Sequence, residues 1–275
     1  MSGITYSKDL NTFLIFTTYA TVYKYDINAE PPYLFINFSS HFERIKLSIL
    51  SHKNQKLVCI DAYPSQTLAI VSFKSKRVEF QMKAPSDICY FQLFGDHENQ
   101  FVLALESGGL LLFSFNYSMR KLLCSSEFKI ELVKDEIIWQ AEKPNSVAVC
   151  DRGKHILVST SMKRSSCFRM FIFEVKGTLL LQRSVIDHKN EEISSKSAMS
   201  FYGYFRNHAL WVGLTSGKPG IVQVYDYDKE AKQLREFETL RQRHNEWNPL
   251  SIVRFGGHLY YTGYEKTMIR LTLKF

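Results

Sequence analysis

Residues 4–26 read ITYSKDLNTFLIFTTYATVYKYD, and three short strands are legible in them. Ile4-Thr5-Tyr6 is the first. Lys8-Asp9-Leu10-Asn11 is a turn, built from residues that accept tight backbone geometry. Phe13-Leu14-Ile15-Phe16 is the second strand, and Thr18-Tyr19-Ala20 turns the chain into the third, Val22-Tyr23-Lys24-Tyr25-Asp26. Aromatic and β-branched side chains pack well on a pleated surface, and apolar runs this short between turn residues read as strands.

The same order of elements returns along the chain. Ser146-Val147-Ala148-Val149 leads through Asp151-Arg152-Gly153-Lys154 to His155-Ile156-Leu157-Val158, then to Arg169 through Glu174. Phe201 to Phe205 leads through Arg206-Asn207 to Leu210-Trp211-Val212, then Ser216-Gly217-Lys218-Pro219-Gly220, then Ile221 to Asp226. Weaker copies begin near Ile45 and Ile88, and the last begins at Leu250. The second strands start near residues 12, 56, 100, 154, 208 and 257, in steps of 44 to 54 residues. That is close to the ~40–45 residues of a WD-type propeller blade, with some longer loops. The expectation is an all-β chain, a single β-propeller over residues 1–275 with about six four-stranded blades, or seven, the last blade open to being incomplete. A pair of β-sandwiches is the main rival, but it has no need of six copies of one strand-turn-strand unit. The best helix candidate is Lys229 to Arg241, although its charges also suit a strand pair and loop. Residues 129–143 fit no repeat and read as an inserted loop or extra strand.

The last unit resembles a WD40 repeat. His244-Asn245-Glu246-Trp247 precedes Leu250 to Phe255, the turn Gly256-Gly257 follows, and then come Leu259-Tyr260-Tyr261-Thr262-Gly263, Glu265-Lys266-Thr267 and Ile269-Arg270-Leu271. The resemblance implies a structural polar network of His244, Thr262 and Glu265. The family's Trp-Asp pair is missing; Tyr25-Asp26, Phe173-Glu174, Tyr225-Asp226 and Leu271-Thr272 stand near its place. A divergent WD40-like propeller is the reading, and another propeller family fits the same rhythm.

Composition narrows the function. The chain has 275 residues, 45% of them hydrophobic, which fits a globular fold and not disorder. No apolar run approaches the ~20 residues of a membrane span. Phe13 to Phe16 is too short for a signal-peptide core, so a cytosolic or nuclear protein is expected. The five cysteines, Cys59, Cys89, Cys124, Cys150 and Cys167, are widely spaced, which suits free thiols better than a zinc site. The eight histidines form no metal-binding spacing, and neither GxSxG, a P-loop nor GxGxxG occurs. Ser107-Gly108-Gly109 joins two strands, where glycine serves turn geometry. The Phe-Arg-Arg-Gly motif of phosphoinositide-binding propellers is missing. No catalysis, cofactor, metal or small-molecule substrate is expected.

The net charge of +8 biases the chain toward acidic partners. In a propeller the first-to-second and third-to-fourth strand loops share one face. Those loops hold Lys74, Lys76, Arg77, Arg120 and Lys121, among other basic residues, and fewer acids. Two readings stand: a solvated surface, or a docking face for an acidic protein or a nucleic-acid backbone. Trp139 and Trp247 fall between blades, as interface anchors or as caps over a blade junction. Ile269, Leu271 and Leu273 mark a last strand with no fourth strand after it, an edge that a partner's strand can cover. Some six-bladed propellers of vesicle coats and nuclear pores are completed in this way, and the chain resembles them in blade count. The alternative is that Ile4 to Tyr6 closes the last blade. A protein-interaction scaffold or complex subunit is the expected function; a basic module for nucleic acid or acidic lipid is the alternative.

Overall fold

A strand covered on one face alternates apolar and polar side chains, whereas a strand covered on both faces reads as an unbroken apolar run. The second strands are of the second kind. The computed structural model describes residues 3–7, 10–26, 29–51, 53–61, 65–95, 97–131, 142–150, 153–162, 167–189, 199–205, 209–215, 221–228, 233–241, 251–255, 258–262 and 268–272, with side chains described only within 4–183. Thr12–Phe16 is buried at every position, and Gln100–Leu105 at all but the first. Period-two packing then sends neighbours to opposite sides. Leu14 and Phe16 join one core cluster, Phe13 and Ile15 another.

Every regular element among the described residues is a strand. The chain falls into two compact units, Met1–Ile88 with Pro249–Phe275, and Cys89–Asn248.

The first unit holds three antiparallel sheets. One is β1 (Gly3–Ser7), β2 (Thr12–Phe16), β3 (Thr21–Asp26) and β4 (Ala29–Asn37), in that order. The next is β5 (Ile45–Ser51), β6 (Lys56–Asp61), β7 (Thr67–Ser72) and β8 (Val78–Lys83). Its core joins the two sheets: Leu14, Phe16, Val22, Ile36 and Phe38 pack with Leu50, Leu57, Cys59 and Val71.

The second unit begins with β9 (Ile88–Phe94), β10 (Gln100–Leu105), β11 (Leu110–Asn116) and β12 (Lys121–Glu127). A five-stranded sheet follows: β13 (Lys129–Glu131), β14 (Glu142–Cys150), β15 (His155–Met162), β16 (Cys167–Lys176) and β17 (Leu179–Lys189), with β13 parallel to β17. Its third sheet is β18 (Met199–Phe205), β19 (Ala209–Thr215), β20 (Ile221–Asp228) and β21 (Gln233–Arg241). The last sheet of the chain belongs to the first unit: β22 (Ser251–Phe255), β23 (His258–Thr262) and β24 (Met268–Thr272).

Two of the alternatives fall away. Gln233–Arg241 is not helical; it ladders along β20, and that pairing overrides the helix-compatible charge pattern. Ile4 to Tyr6 does not close the last sheet. It pairs with Leu14, Ile15 and Phe13 of β2, in register from Gly3 opposite Phe16 to Ser7 opposite Thr12.

In three of the sheets one recurring main-chain bond extends the ladder between the third and fourth strands. Just past the fourth strand, Phe38 N–H donates to Ala20 C=O (2.7 Å), Ala84 N–H to Gln66 C=O (2.8 Å) and Phe128 N–H to Leu110 C=O (2.9 Å). Each acceptor stands at the start of that sheet's third strand.

Candidate partner-binding site

Four hairpin turns share one construction: Ser7–Thr12, Ser51–Lys56, Ser72–Arg77 and Asn116–Lys121. The first residue is a short polar side chain that can bond back to the turn. Ser7 Oγ accepts from Leu10 N–H (3.4 Å), Ser72 Oγ from Ser75 N–H (3.2 Å) and Asn116 Oδ1 from Met119 N–H (2.9 Å). Ser51 Oγ accepts instead from the Asn54 side-chain amide (2.9 Å). The fifth residue is left-handed each time: Asn11 (φ 48°), Gln55 (φ 48°), Lys76 (φ 56°) and Arg120 (φ 50°). Asn tolerates that region, and the Tyr6 hydroxyl donates to Asn11 Oδ1. Lys and Arg pay a steric cost there.

The β7–β8 turn is further fixed by backbone bonds. Ser72 N–H donates to Arg77 C=O (2.9 Å), Lys76 N–H to Ser72 C=O (2.8 Å) and Phe73 N–H to Gln55 C=O (3.0 Å). The His41 Nε2 lies 3.1 Å from the Lys76 carbonyl oxygen and donates to it.

These turns place the basic residues. Lys74, Lys76 and Arg77 are exposed on the β7–β8 turn of the first unit. Arg120 and Lys121 are exposed on the β11–β12 turn of the second. Lys56, at the end of the neighbouring β5–β6 turn, is differently placed: its ammonium pairs with the Glu79 carboxylate at 2.7 Å, and both side chains are largely covered.

Beside the β7–β8 turn lies a cleft of about 330 Å³, lined by Ser7, Leu10, Phe35, Ile36, Leu50, Ser51, Gln55, Phe73, Lys74 and Lys76. Phe35 from β4 and Phe73 from the next sheet's outer turn meet there, with centroids 5.7 Å apart. Its floor is apolar and its rim cationic. A second cleft of about 440 Å³, lined by Ile15, Thr17, Thr18, Tyr19, Thr21, Tyr23 and Pro32, opens at the β2–β3 turn.

Other expected site residues are not brought together by the described structure. Trp139, Trp247, His244, Glu265 and Leu273 lie outside the described residues. Thr262 ends β23, opposite Ser251 and Met268. Ile269 and Leu271 are in β24, opposite Tyr261 and Leu259. Among the described residues, no group of three or more His, Cys, Asp or Glu is placed to hold a metal ion. Nor is any described helix long and apolar enough to cross a membrane. Burial, and then the Asp61 charge, pushes the Cys59 thiol up, so it is a core group and not a reactive one.

No family model and no curated protein matches the sequence. Solved structures match in fold. The chain is similar to the β-propeller domain of Cps50 (Swd1) from Myceliophteria thermophila, with a TM-score of 0.60 and 9% identity over 99% of this chain and 97% of that one. It is similar to a chain of a mitotic checkpoint complex, with a TM-score of 0.61 and 9% identity over 98% of this chain and 73% of that one. Hydrazine synthase from Kuenenia stuttgartiensis matches with a TM-score of 0.59 and 11% identity over 94% and 72%. Identities this low speak of fold alone. The chain has a β-propeller fold, all-β among the described residues, with most of its sheets four-stranded and antiparallel.

Proposed function

We propose that the chain is a non-catalytic interaction subunit whose last sheet is completed by a partner. The observation that carries this reading is the outer side of β24. β24 pairs with β23, and no described strand pairs with its other side. The other sheets have four or five strands. Unpaired ladder groups on an edge accept another strand, and proteins normally cover them. The fold it shares with a chain of a mitotic checkpoint complex supports a role among protein partners. Trp139 and Trp247 are further proposed anchors at the partner surface.

The test is purification from the native source, identification of co-purifying proteins, and hydrogen exchange of the chain with and without them. The amides of Met268–Thr272 are expected to exchange quickly alone and slowly in the complex. Slow exchange in the isolated chain would sink the open-edge reading.

The exposed basic turns favour a second reading, a basic module for nucleic acid or acidic lipid. It predicts binding of a generic RNA, DNA or anionic vesicle that weakens steeply with salt. No binding at low salt removes it.

A further inference from the structure

The cleft beside the β7–β8 turn offers two different chemistries to one ligand. Leu10, Phe35 and Phe73 give it an apolar surface that solvent reaches: Leu10 is 36% exposed, and the two rings are half-buried. Lys74 and Lys76 stand on its rim, and no acid lines it among the described residues. Both lysines are exposed. Their position contrasts with Lys56 nearby, which is neutralised by Glu79.

The backbone adds an independent observation. Lys76 holds a left-handed conformation that favours Gly or Asn, and the His41 bond and the turn's own bonds keep it there. These bonds fix the Lys76 backbone, and with it the root of its side chain, on the cleft rim.

Resting on the interaction-subunit reading, we propose that this cleft binds an acidic peptide segment of a protein partner. A bulky apolar side chain of the peptide packs on Leu10, Phe35 and Phe73. Asp or Glu residues beside it reach Lys74 and Lys76. The cleft volume of about 330 Å³ suits a short segment and not a folded domain. The apolar contact supplies affinity, and the lysines supply register and encounter rate. A nucleic acid fits less well. Stacking needs an open ring face, and Phe35 and Phe73 are half-buried and tilted 40° against each other.

The test uses the full chain and a displayed library of random peptides. Selection on the wild type is run beside selection on a Lys74→Glu/Lys76→Glu variant and on Leu10→Asp. Enriched peptides are expected to carry Asp or Glu beside Leu, Ile, Phe or Trp. Synthesised, they are expected to bind the wild type at least about tenfold tighter than either variant. Replacing the peptide's apolar residue by Ser is expected to cost about as much. If the charge reversal fails to fold, Lys74→Gln/Lys76→Gln takes its place, with circular dichroism and the thermal midpoint as controls. The proposal is overturned if no peptide is enriched, if the enriched peptides lack the acid–apolar pair, or if the variants bind them equally. It is also overturned if only an RNA oligonucleotide binds in a Lys74- and Lys76-dependent way. Co-purifying proteins that remain bound to the charge-reversed chain sink the cleft and leave the interaction-subunit reading standing. Selected peptides that bind while no protein co-purifies from the native source count against that wider reading instead.

Discussion

Lys76 and Arg120 occupy equivalent fifth positions of two turns, both at positive φ. A side chain at such a backbone costs about 1 kcal/mol, partly offset by the entropy a glycine would lose on folding. Lys76→Gly and Arg120→Gly are therefore each expected to leave stability unchanged or raise it by up to about 1 kcal/mol in chemical denaturation. Only Lys76→Gly is expected to weaken a peptide selected on the cleft. A clear loss of stability in both variants would show that the turns are not strained. At Cys59 the argument concerns access. Its side chain is fully buried and its Sγ lies 3.7 Å from the Ala69 carbonyl, whereas Cys89 is half-buried. In the folded chain iodoacetamide is expected to label Cys89 well before Cys59, as read by peptide mass spectrometry. Glu174 gives a pH prediction. A side-chain hydrogen bond from Arg183, whose Nε donates to Glu174 Oε2 at 2.7 Å, holds the carboxyl below its usual range. A depressed folded value contributes stability above the unfolded value of about 4.3 and loses it as pH falls through the folded one. The pair is partly exposed, so its contribution is at most about 1 kcal/mol. Glu174→Gln is expected to flatten the acid side of the stability–pH curve below about pH 4.3.

Among the elements, the second strands were the most legible. Thr12, Lys56 and Gln100 open β2, β6 and β10 at the expected places, and His155, Ala209 and His258 open theirs within a residue. Strands covered on both faces leave apolar runs that turn residues bracket on each side. The turns themselves were legible as loops but not in their conformation, because Lys and Arg do not announce a left-handed residue as Gly and Asn do. The ion pair of Lys56 was hidden for a different reason. Glu79 lies 23 residues further on, in β8, so only the register of the sheet brings them together. Glu79→Ala is expected to cost about 2 kcal/mol, because it strands a largely covered ammonium. The cleft was illegible too. It needs Phe35 and Phe73, which belong to different repeats and meet only when two sheets pack. The same packing sets the cost of Leu57→Ala. Leu57 is fully buried in the core shared by those sheets, and the expected loss is about 2–5 kcal/mol in denaturant unfolding.

At the scale of the molecule, we propose that the chain unfolds as one domain. Far-ultraviolet circular dichroism and tryptophan fluorescence are then expected to report a single coincident transition. Two separated transitions would assign independent stability to its two compact units. The all-β class was legible from rhythm alone, whereas the Trp-Asp pair by which such repeats are usually recognised is missing. The bonds at Phe38, Ala84 and Phe128 bear on that loss. Each joins an amide to a carbonyl, and the side chains at the donors and acceptors are Phe, Ala and Phe, then Ala, Gln and Leu. A ladder rung made of main-chain groups asks nothing of the side chains around it beyond a residue that is not proline at the donor. A duplicated sheet held by such a ladder keeps its strand pairing whatever its later substitutions. Each copy is thus free to diverge from its siblings while its strands stay paired in the same way, and ancestry fades from the letters while the architecture persists.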